Sequence, residues 1–267
     1  MKKTSLLFLA LIGLVSVLLI FTAVGGIAAE LQTISDPYNS EFAMKDIGIT
    51  LQEKGEKDDD FKAVGYRNYA INNDKGEWVR GSSPLFSSID SVEFGRKYSE
   101  EFRVLNSGTI DEYVRVKIYK YWVDGTDKKN YGLDPSKIIL KLGDTELIDL
   151  KGENNGWIVD SNETTVERVT MYYTMPITHG EATGLFADSL TIDSSVGEMS
   201  RSVVKEETID GITYTTYSFS GKYNGNYFCV EIEADAIQTH NVEKAVKSVW
   251  GRNISIDKST KKLSLSD

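Results

Sequence analysis

The sequence predicts an all-β protein, a sandwich or jelly roll of short strands with one short helix. Three observations carry this expectation. Apolar and polar residues alternate with period two in several stretches. The clearest is 113–123, where Val114, Val116 and Ile118 alternate with Arg115, Lys117 and Tyr119. Gly, Asn and Asp clusters punctuate these stretches at the spacing of turns. One segment departs from the pattern: in 241–250, Val242, Ala245, Val246 and Val249 fall at helical spacing, with Asn241 placed to cap and Gly251 to stop it.

Taken in order, the first element is a signal-peptide helix. Lys2 and Lys3 precede an apolar run over 6–24, and Gly25-Gly26-Ile27-Ala28-Ala29 supplies the small residues of a cleavage site. Residues 1–28 are therefore read as a signal peptide, with cleavage at Ala28 or Ala29. The run is also long enough to cross a bilayer, so a retained anchor is the competing reading; no basic stop-transfer cluster follows it. Strands are expected at 47–51 and 101–105. The turn Asn106-Ser107-Gly108-Thr109 then leads into 113–123, making the last two strands antiparallel neighbours or a bridge between two sheets. Further strands are expected at 137–142, at 166–175 before Pro176, and at 189–192. Segments 213–220 and 227–236 flank Asn224-Gly225-Asn226 and read as a hairpin. Residues 53–62, with Glu53, Glu56, Asp58, Asp59 and Asp60, read as an exposed acidic loop, and 259–267 as a flexible tail.

Composition narrows the function. The chain has 267 residues and a formal net charge of −10; residues 1–28 hold two lysines and no acids, leaving the remainder near −12. Nucleic acid and anionic membrane both select a basic face, so neither is an expected partner. Membrane contact is expected only through an uncleaved signal peptide. The single cysteine, Cys229, excludes an internal disulfide and reads as a small buried strand residue. A zinc protease needs paired histidines around a general-base carboxylate. The two histidines here, His179 and His240, are far apart in sequence and sit beside turn residues. Gly81-Ser82-Ser83-Pro84 is turn chemistry, not a nucleophile elbow. Asp58-Asp59-Asp60 and Asp124-Gly125-Thr126-Asp127 offer oxygen ligands without EF-hand spacing. No catalytic, cofactor-binding or metal-binding residue is assigned, no cofactor is expected, and the chain is not expected to be an enzyme. Tyr119, Tyr121 and Trp122 could form the sticky face of a monomeric adhesin, against the alternative of cross-strand packing.

Several segments together resemble the TasA/camelysin family of secreted bacterial fibre proteins, with its specialised signal peptide. The resemblance lies in Gly25-Gly26-Ile27-Ala28-Ala29 followed by Asn39-Ser40-Glu41-Phe42 and Ile47-Gly48-Ile49-Thr50-Leu51. It continues in Phe102-Arg103-Val104-Leu105-Asn106-Ser107-Gly108-Thr109 running into Tyr113-Val114-Arg115-Val116. Further matches are Asn155-Gly156-Trp157, Leu185-Phe186-Ala187-Asp188-Ser189-Leu190-Thr191-Ile192 and 230–238 before the helix. Ile27 is bulkier than the family's usual residue, and 53–91 looks like an insertion. The resemblance implies a single jelly-roll domain over 46–258, processing by a dedicated signal peptidase, and secretion to the surface of a Gram-positive-type bacterium. It also implies self-assembly, alone or with related fibre subunits, into the fibres of a biofilm matrix. Residues 29–45 would then be a donor strand added to the next subunit, with Leu31, Ile34 and Phe42 as anchors. A metalloprotease activity, ascribed to camelysin-type relatives, is the least favoured reading.

Overall fold

The computed structural model describes residues 46–65, 67, 83–209 and 212–266. In chain order the strands are β1 (Ile49–Gly55), β2 (Lys62–Ala63), β3 (Lys97–Asn106), β4 (Glu112–Asp124), β5 (Ile138–Leu142), β6 (Thr145–Glu146), β7 (Glu153–Asn154) and β8 (Trp157–Val159). They continue with β9 (Arg168–Tyr173), β10 (Ala187–Ile192), β11 (Met199–Ile209), β12 (Ile212–Gly221) and β13 (Asn226–Gln238). The helix α1 (Val242–Trp250), β14 (Ile254–Ile256) and β15 (Leu263–Leu265) complete the fold.

These elements build an all-β sandwich with a short helix. One sheet runs β2-β1-β3-β10-β5-β6 and the other β13-β4-β9-β8-β7. Every ladder between these strands is antiparallel. The pairing is nested: β3 takes the returning β10 and β4 takes the returning β9, as in a long ribbon rolled on itself. The turn at 106–109 therefore carries the chain from one sheet to the other, so β3 and β4 bridge the sheets and are not neighbours.

Alternation explains the core. Val114, Val116 and Ile118 of β4, Phe102 and Val104 of β3, and Ile138 and Leu140 of β5 are buried between the sheets. Phe186 stands at the centre, its ring 5.9 Å from that of Phe102 and 5.5 Å from that of Trp157. Each such side chain contributes about 1.5–3 kcal/mol by leaving water. The outer face of β4 is not wet where α1 and the β14–β15 hairpin cover it. There Tyr113, Tyr172, Ile237, Val242, Val246, Trp250, Ile254 and Leu263 form a second, smaller core. Arg115 is buried beside this core, held by Asp235 at 2.6 Å and lying 4.9 Å over the Trp250 ring.

Four expectations are corrected. Residues 213–220 and 227–236 do not pair with each other. β12 pairs with β11, from Met199 opposite Gly221 to Ile209 opposite Ile212, and β13 pairs with β4 over its whole length. The sequence between Ile209 and Ile212 is Asp-Gly, a stronger hairpin signal than Asn-Gly-Asn. The acidic stretch 53–62 is not an exposed loop throughout, because Glu53 belongs to β1 on the inward parity of Leu51 and is buried. Asn241 adopts a left-handed conformation with φ 52° and makes no side-chain cap; its amide meets His240 instead. Residues 259–267, expected as a flexible tail, carry β15, whose Leu263 is buried in the second core. Gly251 does stop the helix, at φ 70°. The signal-peptide helix falls outside the described residues. Among those described, no helix is long and apolar enough to cross a membrane.

Candidate functional site

An apolar groove of about 560 Å3 opens at one end of the sandwich. Its floor is made where strands end. Trp122 comes from near the end of β4, Ile192 from the end of β10, Val196 from the short 3-10 turn Ser194–Gly197, and Tyr223 from the turn before β13. All four are buried. Trp122 is fixed by its indole N–H donating to the Asp134 carbonyl at 2.9 Å and by the Tyr223 ring 4.7 Å away. The rim is different: Phe94, Met199 and Tyr227 are 51%, 63% and 63% exposed. Phe94 lies on Gly197, where a Cβ would come within 2.7 Å of its ring. The polar lining is sparse, namely Asp127, Asn224 and Asn226. An apolar trough with a few polar groups at its lip suits burial of apolar side chains. Among the described residues that line it, no nucleophile stands beside a base.

The chain enters the domain at the other end of β4. The Gly48 N–H donates to Glu112 Oε1 at 2.8 Å, and the Gly48 carbonyl accepts from Ser107 and Gly108 at 2.9 and 2.7 Å. The Asp46 N–H donates to Thr109 Oγ1 at 2.8 Å. Gly108 must be glycine, since a Cβ there would meet the Asp46 carbonyl at 2.5 Å. Glu112 opens β4 and Trp122 stands near its close, so the two ends are about 33 Å apart at the usual rise per strand residue.

A second polar feature lies on the β1–β3 ladder. Glu53 of β1 and Glu100 of β3 are 1% and 0% exposed. Burial pushes the carboxyl of Glu53 up to about 8 and that of Glu100 up to about 7, each also responding to the other.

Residues singled out in the sequence take the following places. Ala28, Ala29, Leu31, Ile34 and Phe42 lie outside the described residues. His179 meets the Gly108 carbonyl through Nδ1, in the turn at the chain-entering end, whereas His240 contacts Asn241, so the two have separate partners. Asp58 binds the Gly55 N–H and Lys62, and Asp124 Oδ1 binds Thr126 and Lys128, so both acidic loops use their oxygens to close turns. Among the described residues no group of three or more His, Cys, Asp or Glu could hold a metal. Tyr119 and Tyr121 donate to Glu233 and Glu231 across the β4–β13 ladder, and Trp122 is buried, which is cross-strand packing. Cys229 is buried opposite Tyr121. Sequence reasoning missed the groove and the carboxyl pair. The available signals were Phe94, an apolar residue in a non-periodic loop, and Glu53, an acid at an inward position of an alternating strand.

No family model, no curated protein and no solved structure matches the chain.

Proposed function

We propose that the protein is a secreted structural subunit of extracellular fibres, built by head-to-tail addition of copies. The segment ahead of Asp46 in one copy docks in the apolar groove of the next, by strand addition with Leu31, Ile34 and Phe42 as apolar anchors. The observation that supports this is the placement of two features at opposite ends of β4: the point where the chain enters, and an apolar groove with an exposed aromatic rim among the described residues. A contact between unlike ends does not close on itself and propagates as a filament. Residues 29–45 fully extended reach about 60 Å, enough to leave one domain and lie along a neighbour. The resemblance to the TasA/camelysin family supports the same reading.

The test is negative-stain electron microscopy of the protein beginning at Ala29, beside a form with extra residues in front and a form lacking 29–36. Filaments from the first alone are expected. Phe94→Asp with Tyr227→Asp, both at exposed rim positions, should leave a folded monomer. Monomers from every form across salt and pH would overturn the fibre reading in favour of a monomeric surface adhesin or an accessory subunit.

A further inference from the structure

The register of β1 against β3 sets Glu53 opposite Phe102 and Gly55 opposite Glu100. The two carboxyls are therefore diagonal neighbours on the inward face. One oxygen of each is satisfied: the Phe86 N–H donates to Glu53 Oε1 at 2.8 Å, and Ser88 Oγ donates to Glu100 Oε1 at 2.9 Å. The other oxygen of each, Oε2, is buried with no hydrogen-bond donor among the described residues. The space is filled, since a Cβ on Gly55 would sit 2.1 Å from Ser88 Oγ and 2.9 Å from Glu100 Oε2.

Among the described residues the charged groups facing the pair are Lys62 and Asp58. Lys62 of β2 is engaged by Asp58, in the turn after β1, at 2.9 Å and by Ser87 Oγ at 3.1 Å. The 85–88 turn presents only uncharged Ser87 and Ser88. Two carboxylates buried side by side without a bonded cation do not both stay ionised. One proton between the two unfilled oxygens satisfies both.

The pair holds a strained turn. Phe86 has φ 60°, a left-handed conformation that is costly for a bulky residue and persists only when its surroundings enforce it. Its N–H is held by Glu53, and its ring packs 5.6 Å from Phe102 and 6.2 Å from Phe228. Phe228 lines the apolar groove, and the connection that begins at this turn goes on to Val92 and Phe94, which line it too.

We propose that Glu53 and Glu100 share one proton, and that this proton latches the 83–96 connection onto β1 and β3, so that its loss in alkali frees one wall of the apolar groove. The latch stands whether or not the groove receives a second copy. In the protonated state the turn is pinned by the Phe86 N–H and the Ser88 hydroxyl. With the proton gone, repulsion between the carboxylates opposes that closure, and the strain at Phe86 is relieved by opening.

The full chain is compared with E53Q/E100Q by two measurements. Infrared spectroscopy at neutral pH should show the C=O band of a protonated carboxyl, absent from the double variant. Amide hydrogen exchange, corrected for intrinsic base catalysis, should show protection of 83–96 falling by about tenfold between about pH 6 and about pH 9. β4 should keep its protection, and the double variant should lose the pH dependence. Absence of the band, or an exchange change spread evenly over the sandwich or retained in the double variant, overturns the proposal. If the double variant does not fold, the wild-type band and the confinement of the exchange change to 83–96 decide the matter.

Discussion

Asn106 is fully buried, and its side chain donates to the carbonyls of Ile110 and Ile177 and accepts from the Gly108 N–H. Alanine there removes three hydrogen bonds at once; the Gly108 N–H keeps the Gly48 carbonyl and the Ile177 carbonyl keeps the Glu112 N–H, while the Ile110 carbonyl loses its donor. Asn106→Ala is expected to lower stability by about 3 kcal/mol in urea unfolding. Gly156 has φ 82° and a Cβ there would come 2.6 Å from the Tyr173 ring, so Gly156→Ala is expected to cost more than about 1 kcal/mol by the same assay. Glu53 and Glu100 bind protons more tightly folded than unfolded, because burial raises both above 4.5. Their contribution is whole below about pH 4.5 and is lost as pH rises through about 7 and about 8. The melting temperature should fall over that window and flatten in E53Q/E100Q. The sequence placed Asn106 and Gly108 in a turn, as observed. It did not give their role, because Ile177 and Gly48 are reached only through the fold.

At the scale of elements, α1 and β14–β15 act together to cover the outer face of β4. Trp250 is the largest side chain of that second core, its ring 5.5 Å from that of Tyr172. Trp250→Ala is expected to destabilise by about 3–5 kcal/mol in thermal or chemical unfolding. The helical spacing of Val242 and Val246 was legible, and so was the stop at Gly251. The β14–β15 hairpin was not: three-residue strands are too short to show alternation, and only packing under α1 marks them. β11 and β12 make a contrasting element. Among the described residues their ladder joins only each other, and an isolated two-stranded hairpin is marginal in water. Replacing 201–219 with a short glycine turn should therefore leave the melting temperature within a few degrees (about 5 °C or less). β11 was overlooked because Arg201, Lys205, Glu206 and Glu207 mask its period.

For the whole molecule, alternation foretold a sandwich but not which strand joins which sheet, since period two is the same in both. The groove was illegible for a related reason: its walls come from four separate stretches that meet only at the end of the sandwich. The net charge, −10 for the full chain and near −12 from Ala29 onward once Lys2 and Lys3 are gone, opposes the approach of a second copy, and salt screens that repulsion. Assembly followed by light scattering should accelerate as salt is raised from low ionic strength. In a filament held at Asp46 on one side and at the groove on the other, tension would run along the strands. It would pass from β1 into β3 through the ladder that pairs Ile49 with Asn106 and Gly55 with Glu100. Those hydrogen bonds lie across the pull and would be loaded together instead of one at a time. Such a subunit would behave as a stiff link, yielding abruptly at a high load where a peeled sheet would give way rung by rung.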